Sequence, residues 1–157
     1  MVGDTNIGLS NEWGLLAMPT TTVATLADRT EIADLFARLS RLLDEGRFDD
    51  AHTVYTDDVV VHSPRGGELR GLAEVTAHLH RQHPEGERTH HLHGDVLVTL
   101  DGDRASATAN QLAFFYRDGE PPYQQAATRL TYRAVRTPAG WRFDQADIAL
   151  TFLRTPS

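Results

Sequence analysis

The segment that decides the fold runs from Leu42 to Gly71 and reads LLDEGRFDDAHTVYTDDVVVHSPRGGELRG. It contains the end of one helix, a short second helix predicted over residues 47–55, and a β-branched strand that begins near Asp58. A glycine-rich turn then leads into a third helix. This order of elements predicts an α+β domain with a pocket where the helices meet the strand.

Upstream of this segment we predict one long amphipathic helix. It should begin at Asp28, whose carboxylate would cap the helix while Glu31 completes a capping box, and Gly46 should end it. Apolar residues recur at steps of three and four along it and predict one buried face, formed by Ile32, Leu35, Phe36, Leu39, Leu42 and Leu43. Residues 1–26 show no sustained period and are predicted to be a flexible tail, within which Met18 is a second candidate start.

Downstream, Leu72, Val75 and Leu79 mark the third helix, which should end before Pro84. From Glu87 onward the hydrophobic period becomes strand-like, and turn signals at residues 101–102, 117–122 and 137–140 separate four long strands. We therefore predict a single α+β domain over residues 27–157, in which three N-terminal helices pack on a curved, mainly antiparallel sheet.

Composition excludes several classes of partner. The chain has no cysteine, so disulfide and thiolate chemistry are excluded. Its net charge of −7 argues against binding to a phosphate backbone. No run of roughly 18 apolar residues is present, and no Lys or Arg precedes Arg29. We expect a cytoplasmic protein with neither nucleic acid nor membrane as a partner.

The strand from Asp103 to Arg117 should line the pocket with one of its two faces, because side chains alternate along a strand. One face carries Asn110, Leu112, Phe114 and Tyr116, and the other carries Gln111, Ala113 and Phe115. Both faces contain apolar residues, so we expect both to be covered, one by helices and one by a second subunit in a homodimer.

Two residues are candidates for proton transfer. Asp44 occupies the last turn of the first helix, where the helix dipole disfavours a carboxylate by about 0.3–1 kcal/mol. It is either a solvated helix-end charge or a functional group. His91 lies in the stretch RTHHLHG of residues 88–94, and an imidazole has an ordinary pKa of about 6.5. Paired with Asp44 it would exchange protons near neutral pH; otherwise it is a core histidine held by hydrogen bonds.

Six of the eight histidines fall between residues 78 and 93, which raises the question of a metal site. The spacing of His78, His80 and His83 does not place two ligands four residues apart, as helix-borne zinc ligands require. We interpret these three as surface histidines near a helix end and predict no metal site.

The order of elements, Asp44 at the helix end and the pattern Thr89-x-His91-x-x-Gly94 together resemble the nuclear-transport-factor-2-like superfamily, in its SnoaL-like and scytalone dehydratase-like branch. The resemblance implies a cone-shaped α+β domain with a carboxylate–histidine pair inside an apolar cavity. It also implies that Tyr116 replaces a second catalytic histidine. Ser63, Leu39 and Leu130 match positions where ketosteroid isomerases carry their base and oxyanion donors, so steroid isomerisation by that route is disfavoured.

We therefore expect a cofactor-independent enzyme that catalyses cyclisation, isomerisation or dehydration of an aromatic or polyketide-like small molecule. Asp44, His91 and Tyr116 would be catalytic, and the substrate would be bound by Ser63, Asn110, Phe114, Thr128, Leu39 and Leu130. The alternative is a non-catalytic ligand-binding or dimerisation domain of the same fold. Asp44 and His91 would then lie beyond hydrogen-bond distance or face solvent.

Overall fold

The computed structural model describes residues 22–155. In chain order the elements are α1 (Val23–Asp44), a 3₁₀ helix (Phe48–Thr53), β1 (Tyr55–Ser63), β2 (Gly67–Arg70), α2 (Leu72–Gln82), β3 (Arg88–Asp101), β4 (Arg104–Tyr116), β5 (Gln124–Thr137) and β6 (Gly140–Arg154). Most of the predicted N-terminal tail lies outside the described residues. Residues 22–26 do not belong to a tail, because they form the cap and the first turn of α1.

The strands form one six-stranded sheet in the order β2-β1-β6-β5-β4-β3. All neighbouring strands are antiparallel except β1 and β6, which are parallel. The predicted α+β class and mainly antiparallel sheet are confirmed. The prediction of three N-terminal helices is not confirmed, because the second helical segment is a 3₁₀ helix. A strand, β1, separates it from α2 as predicted, and the short strand β2 follows β1. No helix within residues 22–155 combines the length and hydropathy of a membrane span.

The predicted start of α1 at Asp28 was wrong. The helix begins at Val23, where the Thr22 hydroxyl accepts a hydrogen bond from the backbone N–H of Thr25 at 3.1 Å. Asp28 instead lies within the helix and accepts hydrogen bonds from the Trp141 indole at 3.0 Å and from the guanidinium of Arg136 at 2.8–2.9 Å. An Asp three residues before a Glu matches the capping-box pattern whether or not a helix begins there. In this protein Asp28 connects α1 to the sheet instead.

The core lies between α1 and the inner face of the sheet. The buried residues of α1 are Ile32, Leu35, Phe36, Leu39 and Leu42, as the periodicity predicted. Phe36 packs against Tyr132 and Phe143, with ring centres 5.4 and 5.0 Å away. Small residues occupy the corresponding face of β4, where Ala105, Ala107 and Ala109 are buried. These alanines belong to the same core cluster as the buried residues of α1.

Edge strand β3 is bent by an irregularity between Gly94 and Leu97, where Asp95 adopts a positive φ of 51°. Such a bulge bends a strand and increases its twist. The half of β3 before this bend carries His91, and it lies next to the C-terminal end of α1. The bend therefore contributes to the cavity described below.

Candidate active site

The centre of the site is a carboxylate–imidazole pair between Asp44 and His91. Asp44 is the last residue of α1, and His91 lies on edge strand β3. The Asp44 Oδ1 atom lies 2.6 Å from His91 Nδ1, while the backbone N–H of His91 donates to Oδ2 at 2.9 Å. The Thr89 hydroxyl donates to Oδ1 at 3.0 Å. Asp44 therefore joins α1 to the free edge of the sheet through three separate donors.

These donors determine the protonation state of Asp44. Burial by itself would raise the pKa of Asp44, but the hydrogen bonds from the His91 ring, the His91 backbone and Thr89 outweigh it and hold the pKa below the ordinary value of 3.8. The group is thus a carboxylate at neutral pH, which only accepts hydrogen bonds, so the proton of the shared bond is on His91 Nδ1. The Nε2 atom of a neutral His91 then carries a lone pair.

A cavity of about 270 Å³ lies beside this pair. Its walls come from the C-terminal end of α1, from α2, from the turn after β1 and from the inner faces of β3 to β6. The surface of the lining is mainly apolar. The lining residues are Leu43, Ser63, Pro64, Arg65, His78, Leu79, Gln82, His83, His91, Gln111, Ala113, Phe115, Ala126, Thr128, Ile148, Leu150 and Leu153. The His91 side chain is only 7% exposed, so its ring meets the cavity rather than bulk solvent.

Some of the predicted site residues meet at this cavity. His91, Ser63 and Thr128 line it. Asp44 does not line the cavity but contacts the His91 ring. The Ser63 hydroxyl accepts a hydrogen bond from the backbone N–H of Arg65 at 3.3 Å and so helps to form the turn after β1. Leu39 and Leu130, which we predicted to bind the substrate, are core residues instead. They are 3% and 0% exposed and do not line the cavity.

The predicted placement of Asn110, Phe114 and Tyr116 in the cavity requires correction. The alternation along β4 is as expected, but these residues lie on the face opposite the cavity, which is lined by Gln111, Ala113 and Phe115. The Asn110 amide donates to Asp95 on that outer face at 2.8 Å. Ala105, Ala107 and Ala109 are buried and lie an even number of positions before Gln111. Because side chains alternate along a strand, Gln111 lies on the same, core-facing side of β4.

A chain of hydrogen bonds that the sequence did not reveal reaches the cavity from α1. The hydroxyl of Ser40 lies 2.5 Å from His93 Nδ1, and His93 Nε2 lies 2.8 Å from Gln111 Oε1. The Gln111 amide then donates to Thr128 Oγ1 at 3.2 Å. Burial, the largest cause, lowers the pKa of His93 and keeps it neutral. In this arrangement the Thr128 hydroxyl proton and the second Gln111 N–H remain free to donate into the cavity.

Two α2 histidines were also misjudged. His78 and His83, predicted at the surface, line the cavity, and burial is the largest cause that lowers the pKa of each. His83 Nδ1 lies 2.8 Å from the carbonyl oxygen of Leu79. A signal was available in the sequence, because His83 follows the core residue Leu79 by four positions and therefore shares its helix face. His80 does lie at the surface, 3.0 Å from Asp49.

A second histidine cluster lies away from the cavity. His62 on β1 lies 2.5 Å from Asp147 on β6 and 2.9 Å from Glu68 on β2. The hydrogen bond to Glu68, followed by that to Asp147, raises the pKa of His62. These side chains are all more than 40% exposed, and none lines the cavity.

Comparison with known proteins identifies relatives over most of the chain. The sequence pattern that defines the SnoaL-like domain matches residues 24–147. An uncharacterized protein of Mycobacterium tuberculosis is 31% identical over 126 residues, which cover 76% of this chain and 83% of the relative. Sequence and element order therefore agree over the domain that contains the cavity.

Solved structures have the same architecture. The Kfla4162 protein from Kribbella flavida superposes with a TM-score of 0.74 at 25% identity, covering 82% of this chain and 94% of the other. A hexachlorocyclohexane dehydrochlorinase of type 2 superposes with a TM-score of 0.73 at 15% identity, covering 84% and 90%. At that identity, the second comparison shows a shared fold.

Proposed function

Because the chain belongs to the SnoaL-like domain family, within the nuclear-transport-factor-2-like superfamily, we propose that it is an enzyme that moves protons on a small apolar molecule. The single observation that carries the proposal is the hydrogen bond of 2.6 Å between Asp44 and His91, with His91 in the wall of an apolar cavity. A partly buried carboxylate that orients a histidine is an arrangement suited to general acid–base catalysis.

In the proposed reaction, His91 Nε2 removes a proton from a carbon next to a carbonyl group of the substrate. The electron pair of the C–H bond moves towards the carbonyl oxygen and gives an enolate. Asp44 stabilises the imidazolium that forms, and the free N–H of Gln111 and the hydroxyl of Thr128 donate to the enolate oxygen. The predicted site residues Tyr116 and Asn110 cannot provide these donors, because they lie on the opposite face of β4.

The enolate has three outcomes, and each returns the proton. Protonation by His91 at a different carbon gives an isomer. Expulsion of a hydroxide from the neighbouring carbon, protonated by His91 as it leaves, gives an alkene and water. Attack of the enolate carbon on a second carbonyl, whose oxygen takes the proton, closes a ring. All three need the same base and the same oxygen-binding donors, so the geometry supports the reaction class.

The size and lining of the cavity support an aromatic or polyketide-like substrate. Its volume of about 270 Å³ is close to the lower end of the range of roughly 300–1,000 Å³ that ligand pockets occupy. Leu43, Leu79, Phe115 and Ile148 provide apolar surface on opposite walls. A flat molecule of one or two rings fits this description better than a sugar or a nucleotide, whose polar groups would lack partners.

A non-catalytic binding domain is the alternative. On that view Asp44 and His91 would lie beyond hydrogen-bond distance or face solvent, whereas they lie 2.6 Å apart with His91 7% exposed. The geometry therefore favours the enzyme.

The experiment follows exchange of carbon-bound hydrogen. In D₂O, the wild-type protein should accelerate deuterium incorporation next to the carbonyl group of 2-tetralone, a bicyclic ketone, as measured by NMR. The His91→Gln variant should lose this acceleration, while His52→Gln, an exposed histidine outside the cavity, should retain it. A His91→Gln variant that is folded and fully active would contradict the mechanism.

We also propose that the protein is a homodimer. Leu92, Leu112, Ala127 and Phe152 are register partners in turn across strands β3 to β6, so they form one apolar row on the outer face of the sheet. Leu92, Leu112 and Phe152 are 50%, 42% and 50% exposed. A second copy that covers this row would bury them.

A further inference from the structure

The ionisable side chains that line the cavity are all of basic type. They are Arg65, His78, His83 and His91, and no Asp or Glu belongs to the described lining. The chain as a whole has 22 acidic and 15 basic residues. Burial lowers the pKa of His78 and of His83, so Arg65 carries the permanent positive charge among these four side chains, in a chain with a net charge of −7. A positive group in a cavity of a negatively charged protein favours a ligand that carries negative charge.

Arg65 is the permanent charge in this group. Its Nη2 donates to the neutral amide oxygen of Gln124 at 2.9 Å, and its guanidinium carbon lies 5.4 Å from the ring centre of Phe115. Within residues 22–155, no carboxylate lies within 4.0 Å of it, whereas Arg88 and Arg136 each have such a partner. The guanidinium is held in place by neutral groups, and its remaining N–H donors are available to a ligand.

The strand register relates the position of Arg65 to that of His91. His91 pairs with Ala113, and Phe115, which lies under Arg65, is two residues further along the same face of β4. Two residues of a strand span roughly 7 Å, so Phe115 lies about that far from Ala113 along β4. Arg65 and His91 therefore line neighbouring parts of one cavity.

His83 occupies the same region of the cavity wall. Burial is the largest cause that lowers its pKa, and the hydrogen bond with the Leu79 carbonyl opposes it. The charge of Arg65 lowers the pKa of His83 further, whereas Glu87 raises it. His83 is thus a neutral neighbour, and it lines the same cavity as Arg65 and His91.

We propose that the natural substrate is a small apolar molecule that carries a carboxylate, which Arg65 binds while the reacting carbon lies beside His91. This inference rests on the proposed function and specifies its substrate class. A guanidinium binds a carboxylate through two parallel N–H···O bonds, so it selects an anion by geometry as well as charge. The neutral amide or ester of the same molecule would lose at least one of these bonds.

The test compares two ligands of the same shape by isothermal titration calorimetry, 2-naphthoate and 2-naphthamide. The wild-type protein should bind naphthoate about tenfold or more tightly, because a hydrogen bond between a guanidinium and a carboxylate is roughly twice as strong as one between neutral groups. Arg65→Gln should lose this preference, and Arg65→Lys should keep part of it. The matched control is Arg47→Gln, since Arg47 is exposed, pairs with Glu45 and Asp50, and does not line the cavity.

Equal affinity of the wild-type protein for both ligands, failure to bind naphthoate, or an unchanged preference in folded Arg65→Gln would each overturn the inference. Deuterium exchange on 2-tetralone, a ketone without a carboxylate, is measured separately. If the protein exchanges hydrogen on 2-tetralone but does not prefer naphthoate, the proposed substrate class is contradicted and the proposed proton transfer is not. If it prefers naphthoate but does not exchange hydrogen on 2-tetralone, the proposed proton transfer is contradicted and the carboxylate preference is not.

Discussion

At the scale of single residues, Asp44 determines which nitrogen of His91 meets the cavity. A carboxylate accepts hydrogen bonds only, so the proton stays on Nδ1 and the Nε2 lone pair points away from Asp44. The same carboxylate also accepts from the backbone of His91 and from Thr89. One side chain therefore fixes the tautomer, the ring orientation and the edge of β3.

Removal of Asp44 should consequently lower stability as well as activity. Asp44→Ala leaves the buried Thr89 hydroxyl and the His91 N–H without their acceptor, and we expect the free energy of unfolding to fall by about 1–3 kcal/mol. Urea titration followed by circular dichroism measures this. The control Asp58→Ala removes an exposed carboxylate and should change stability by less than about 0.5 kcal/mol. Equal effects of the two substitutions would show that Asp44 is a solvated helix-end charge.

Asp44 and His91 could be predicted from the sequence because their signals are local. A carboxylate in the last turn of a helix is unfavourable unless it has a partner, and the Thr89-x-His91 pattern opens a strand. Gln111 and Thr128 gave no such signal. Their role depends on His93 and Ser40, which lie 18 and 71 residues before Gln111 in the chain, and on which face of β4 the helices cover.

At the scale of elements, the attachment of α1 to the sheet depends on Asp28 and Glu31. Asp28 bonds the Trp141 indole and the Arg136 guanidinium, and Glu31 accepts from the backbone N–H of Trp141 at 2.8 Å. The hydrogen bond from Arg136, followed by that from Trp141, lowers the pKa of Asp28 to about 2. α1 is thereby fixed at this end by Asp28 and at its other end by Asp44.

This attachment should be sensitive to acid. Because the pKa of Asp28 is lower in the folded protein than its ordinary value of 3.8, its contribution to stability is complete above that value and is lost as the pH falls towards 2. The difference in unfolding free energy between the wild-type protein and Asp28→Asn should therefore shrink between about pH 4 and pH 2. Chemical denaturation at a series of pH values measures it. A difference that is constant over this range would contradict the ion pair, and Asp34→Asn serves as the control.

The periodicity predicted α1, α2 and the four long strands but did not identify the inner face of β4. Both faces of that strand carry apolar residues, so alternation alone left two assignments. The small residues Ala105, Ala107 and Ala109 marked the face that joins the core, and Ala113 lies on the same face. Strand β2 was missed because four residues after a glycine-rich turn carry too little pattern to distinguish a strand from a loop.

At the scale of the whole molecule, the two faces of the sheet have different roles. Its inner face supports the core and the cavity, while its outer face presents the apolar row of Leu92, Leu112, Ala127 and Phe152. The row is centred on the same strands that carry Gln111 and Thr128. A second subunit on the outer face would therefore stiffen the strands that form one wall of the cavity.

The proposed dimer predicts a clear change of mass in solution. Leu112→Lys places a charge in the middle of the apolar row and should convert the dimer to a monomer, because an unpaired charge is costly to bury. Light scattering coupled to size exclusion measures the mass. Val23→Lys, at an exposed position at the start of α1, should leave the dimer intact. A wild-type protein that is monomeric at micromolar concentration would contradict the proposal.

In the proposed proton transfer Asp44 acts through His91. A double-mutant cycle on the rate of deuterium exchange into 2-tetralone measures this coupling. Residues that act as one unit do not have additive effects. We predict that Asp44→Asn and His91→Gln each slow exchange by roughly 100-fold or more, and that the double variant is no slower than His91→Gln alone. Losses that multiply in the double variant, or a folded His91→Gln variant with the wild-type rate, would contradict the account.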